Sequence, residues 1–102
     1  MSIKKQYSKK DPICKVTFTL TEEAIGTAEH AALAGNFNWW DTYNLPMKRT
    51  KNGAFEIKLD LDKGKEYQFR YLVDGKRWIN DPEADGYIPN HVSGEDNCLI
   101  KV

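Results

Sequence analysis

Residues 52–79 read NGAFEIKLDLDKGKEYQFRYLVDGKRWI, and the alternation inside this stretch decides the fold. Phe55, Ile57, Leu59 and Leu61 alternate with Glu56, Lys58 and Asp60. Tyr67, Phe69, Tyr71 and Val73 alternate with Gln68, Arg70 and Leu72. A period of two puts each set on one face of a β-strand, so both segments are half-buried strands. Asn52-Gly53 supplies a turn before the first strand, and Lys63-Gly64 separates the two. Asp74-Gly75 offers a tight hairpin into residues 76–79, because both residue types tolerate positive φ. Arg70 therefore faces away from the aromatic row.

Outward from this pair the pattern repeats. From Cys14 to Leu20, Val16, Phe18 and Leu20 alternate with Lys15, Thr17 and Thr19, which predicts another strand. Residues 21–26 read as a turn or a single helical turn, with Thr21 able to cap, Glu22, Glu23 and Ala24 favouring helix and Gly26 stopping it. A strand is expected over about residues 29–34 and a closing one over 97–102, where Cys98, Ile100 and Val102 face inward. Residues 80–96, rich in Asp, Pro, Gly and Asn, read as a long loop. Six to eight short strands at this spacing, without helical periodicity or repeats, predict an all-β antiparallel sandwich.

At 102 residues the chain is one small domain, and 40% hydrophobic with 29% charged residues is an ordinary globular composition. Fifteen basic residues balance fifteen acidic ones, which argues against a phosphate-backbone partner and excludes the basic surplus of a nucleic-acid binder. Lys4, Lys5, Lys9 and Lys10 cluster at the start, and residues 1–12 are expected to be a flexible, frayed segment before a domain at 13–102. The polar opening carries no export signal and no run is apolar enough to span a membrane, so no membrane partner and a cytoplasmic location are expected. In that reducing setting Cys14 and Cys98 are expected to be buried free thiols.

Catalytic patterns fail one at a time. A glycosidase needs two carboxylates roughly 5 to 10 Å apart across a cleft. Asp81, Glu83 and Asp85 offer carboxylates only from a single acidic loop. Asp81-x-Glu83-x-Asp85-Gly86 resembles the start of a calcium loop, but its closing position is Val92 where a bidentate Glu is required, so a solvated loop is expected and no metal. His30 and His91 stand alone and are expected at the surface, which leaves no zinc site and no triad. No nucleophile elbow or phosphate loop is present, so neither enzyme activity nor a cofactor is expected.

Trp39 and Trp40 follow Gly35-Asn36-Phe37-Asn38 just after a strand, and Trp78 follows the hairpin turn. A pyranose presents an apolar face of C–H groups that lies flat on an indole, while its hydroxyls need planar amide or guanidinium partners. Arg70, Asn38 and Asn97 are such partners. The same tryptophans could equally fill the core of a sandwich, and spacing alone leaves that choice open.

The motifs LAGNFNWW at 33–40, PMKR at 46–49, GAF at 53–55, YQFRYLVDG at 67–75, WINDP at 78–82 and NCLIKV at 97–102 occur in this order. From about Ile13 to Val102 the chain resembles carbohydrate-binding module family 48. That family includes the glycogen-binding domain of the AMP-activated protein kinase β subunit and the N-terminal domains of isoamylases and glycogen-branching enzymes. The resemblance implies an immunoglobulin-like early-set sandwich that binds α-glucans such as glycogen, starch or malto-oligosaccharides. It implies sugar contacts from Trp40, Trp78, Arg70 and Asn97. The chain departs from the family pattern in two places: Trp39 stands where an Asn is usual, and the stretch 91–95, where kinase-type members insert an apolar residue before the late Asn, offers only Val92 in a shifted register. Many enzyme-attached members have lost sugar binding, so the alternative is a protein-interaction module docked on a glycan-processing enzyme or a kinase complex.

Overall fold

Every second residue of the strand Ile13–Leu20 is withdrawn from solvent, and the same rule shapes the other strands of a computed structural model that describes residues 2–7, 9–10, 12–90 and 94–102. In chain order the elements are β1 (Ser2–Tyr7), β2 (Ile13–Leu20), α1 (Glu22–Ile25), β3 (Ala31–Gly35), β4 (Lys48–Arg49), β5 (Phe55–Asp62), β6 (Glu66–Val73), β7 (Arg77–Ile79), β8 (Gly86–Pro89) and β9 (Asp96–Lys101). All pairings are antiparallel. One sheet runs β1-β2-β5-β4, the other β3-β6-β9-β8, with β7 also on β6. The two inner faces make the antiparallel β-sandwich that the alternation predicts.

Its centre is aromatic. Phe18 of β2 meets Phe69 of β6 edge-on at 5.1 Å and Tyr71 at 6.4 Å, while Phe69 and Tyr71 lie 5.5 Å apart. All three are fully buried. Each such pair contributes about 0.5–1.5 kcal/mol beyond its burial, so this trio clamps sheet to sheet. Cys14 and Cys98 are buried free thiols. Among the described residues no helix is long and apolar enough to cross a membrane.

Three local expectations are revised. Residues 2–7, expected to be frayed, form an edge strand in register with β2 from Ser2↔Thr19 to Tyr7↔Cys14. Ile3 packs on the core, and the Lys5 ammonium reaches Asp85 of the opposite sheet's margin at 2.7 Å. The 80–96 segment contains β8, paired to β9. Asp81, expected in a solvated acidic loop, is fully buried: Tyr71 Oη donates to its carboxylate at 2.8 Å and the Glu83 N–H at 2.8 Å. It is a structural group, and the Tyr71 phenol is held well above its ordinary range by burial and then by the Asp81 charge.

Candidate functional site

Register fixes which side chains share the outer face of the β3-β6-β9 sheet. Phe69, Tyr71 and Val73 point inward, so Gln68, Arg70 and Leu72 point outward. Leu72 pairs with Trp78, Ala34 with Arg70, and Phe69 with Cys98, which sets Asn97 level with Arg70. The hairpin that aims Trp78 turns on Asp74 and Gly75 with φ 53° and 67°, the signs of a type I′ turn. The Asp74 carboxylate accepts the backbone N–H groups of Glu29 and His30 at 2.8 and 2.9 Å. The bonds from His30 and Glu29 hold that carboxyl below its ordinary range.

Arg70 is the hub. Its side chain is only 6% exposed, and its Cζ lies 5.7 Å from the Trp78 ring centroid. Its Nε donates to Asn80 Oδ1 at 2.8 Å and a terminal nitrogen donates to Glu95 at 2.6 Å. Trp78 itself keeps 41% of its surface open. The guanidinium thus braces an indole that remains available to a ligand. Beside it Asn97, itself buried like Arg70, donates to Gln68 Oε1 and accepts from Asn90 Nδ2, both at 3.2 Å, so its amide joins Gln68 and Asn90 in a neutral amide chain along the face. The alternation put Arg70 on the correct face, but it is covered by Glu95 and Asn80.

The other two tryptophans, Trp39 and Trp40, ride on the loop after β3. Gly35 has no room for a side chain, because a Cβ there would meet Gln68 O at 2.4 Å and the Phe37 ring at 2.7 Å. The loop is tied to β6 by reciprocal bonds: Asn36 N–H donates to Gln68 O and Gln68 N–H donates to Asn36 Oδ1, both at 3.0 Å. Trp39 and Trp40 both sit at positive φ, 59° and 58°. For bulky residues that costs on the order of 1–3 kcal/mol each and persists only where surroundings impose it. Asn38 imposes it. Its Oδ1 accepts the Gly35 N–H at 2.9 Å, and its Nδ2 donates to Asp41 O and Asn44 Oδ1 at 3.1 and 2.8 Å. Asn38 was expected to meet sugar hydroxyls; it is buried instead, and its amide is committed to shaping the loop. Trp40 is half-buried, while Trp39 stands 93% exposed.

Sequence reasoning missed Glu95, Gln68, Asn80 and Asn90. The alternation that turns Arg70 outward also turns Gln68 outward, but nothing local signals that Glu95, far along the chain, covers the cation. His91 and Val92 lie outside the described residues. Among the described residues no group of His, Cys, Asp or Glu is arranged to hold a metal.

Residues 17–102 match the family described as the glycogen recognition site of AMP-activated protein kinase. Comparison with curated proteins finds no match. The chain belongs to that glycogen-recognition family, a class of non-catalytic carbohydrate-binding modules.

Proposed function

We propose that this member of the glycogen-recognition family binds α-glucan chains through Trp78, Trp40, Arg70 and Asn97, within residues 13–102, and catalyses nothing. The observation that carries this reading is the half-open Trp78 indole braced by the buried Arg70 guanidinium at 5.7 Å and flanked by the Gln68–Asn97–Asn90 amide chain. An indole face stacks on the C–H face of a glucosyl ring, while neutral amides exchange hydrogen bonds with its hydroxyls. Trp40, on its strained loop at the β3 side of β6, supplies a second platform, and the exposed Trp39 widens it. The buried carboxylate Asp81 is committed to Tyr71 and cannot serve a hydrolytic pair. Such a module holds a glycan-processing enzyme on its polymer, which makes that enzyme class the implied protein partner.

A shallow face leaves many hydroxyls in water, so affinity should fall in roughly the micromolar to millimolar range. A neutral polymer releases no condensed counterions. Co-sedimentation with glycogen should therefore retain the protein equally in low and high salt. No retention at any salt, or retention that collapses steeply as salt rises, would count against an α-glucan.

A further inference from the structure

Backbone register draws a second row across the same outer face, at the level of Trp78 and not of Arg70. Trp78 pairs with Leu72, Leu72 with Ala32, and Ala32 bridges to Pro46, which lies along the outer edge of β3. The row spans three inter-strand spacings, about 14 Å. Leu72 and Ala32 are half-buried, so the strip is apolar and open between the indole and the edge. It ends in a groove of about 360 Å³ lined by His30, Ala32, Thr42, Tyr43, Pro46 and Leu72. Tyr43 is 90% exposed, with no core to fill, and its backbone N–H is fixed by the Asp41 carboxylate at 2.7 Å.

We propose that this groove is a second glucan subsite: an α-glucan stacked on Trp78 continues across Leu72 and Ala32, perpendicular to the strands, and stacks its far rings on Tyr43. The inference rests on the reading of Trp78 as a sugar platform and adds a direction and a length to it. The composition of the groove suits the ligand. An apolar floor meets ring C–H groups, the Tyr43 ring gives a stacking face, and the Thr42 hydroxyl, His30 imidazole and Tyr43 phenol exchange hydrogen bonds with sugar hydroxyls. A chain long enough to reach both ends gains from two platforms at once, whereas a short one occupies the Trp78 end alone. The site therefore selects for length.

Calorimetric titration of the full chain with maltotriose and with maltoheptaose tests this. In the wild-type protein maltoheptaose should bind several-fold more tightly than maltotriose. Tyr43→Ala should weaken maltoheptaose about five-fold and leave maltotriose unchanged, while Trp78→Ala weakens both. Tyr43 is exposed, so the variant keeps its fold. An unchanged length preference in Tyr43→Ala overturns the second subsite and leaves the Trp78 platform standing. Failure of the wild-type protein to bind either oligosaccharide overturns both.

Discussion

The Arg70 guanidinium lies 5.7 Å from the centroid of the Trp78 ring while its Nε and terminal nitrogen are held by Asn80 and Glu95. The cation is thus a support for the indole before it is a contact for any ligand. Arg70→Ala should weaken glucan binding in part by loosening Trp78, so the effects of Arg70→Ala and Trp78→Ala should not add. A double-mutant cycle on binding is expected to show a coupling of about 1 kcal/mol. Additive losses would mean that the two residues act independently.

Asn38→Ala should act on the loop without touching the sugar. It removes an acceptor for the Gly35 N–H and donors to Asp41 O and Asn44, inside a buried site. A stability loss of about 1–3 kcal/mol is expected by denaturant titration, together with weaker glycogen retention as Trp39 and Trp40 lose their positive-φ geometry. Full retention with intact stability would show that the loop holds itself.

Tyr71→Phe probes the opposite case, a purely internal bond. It leaves the buried Asp81 carboxylate without the 2.8 Å phenol donor. Stability should fall by about 1–3 kcal/mol while affinity per folded molecule stays the same. A change in affinity would connect Asp81 to the binding face.

How much of this was legible in the residues differs by element. The alternations of Phe55–Leu61 and Tyr67–Val73 gave β5 and β6, because burying one face imposes a period of two on the sequence itself. β1 was not legible. Its Ile3 and Tyr7 are interleaved with Lys4, Lys5 and Gln6, and lysines on an edge strand look like those of a frayed tail. For the site, period and turn chemistry put Arg70 and Trp78 on one face, but the cover over Arg70 comes from Glu95, 25 residues away, which no local pattern reports. Asn38 was misread because an amide that satisfies its own loop has the same residue type as one that greets a ligand.

The Cys98 thiol makes a pH prediction. Burial first, and then the Asp81 charge, push it up to about 11 from its ordinary 9.0, although the Asp81 N–H bond to its sulfur works the other way. Because the folded value is the higher one, its contribution is complete below pH 9.0 and is lost as pH rises toward 11, where the unfolded chain ionises first. Urea midpoints should decline across that window, and Cys98→Ala should flatten the decline. At neutral pH Cys98 should resist alkylation until the domain unfolds. Rapid labelling of the native protein would contradict its burial.

The proposed site stacks glucose rings on Trp78 of the sheet face and on the half-buried Trp40 of the loop after β3. Intrinsic tryptophan fluorescence followed during titration with maltoheptaose, in the wild-type protein and in Trp40→Ala and Trp78→Ala, measures that stacking. A saturable change is expected, with a Kd between roughly micromolar and millimolar, and a loss of about ten-fold or more in each variant with the far-ultraviolet spectrum unchanged. Undiminished binding in both variants, or unfolding of both while wild-type titrations stay flat, would contradict it.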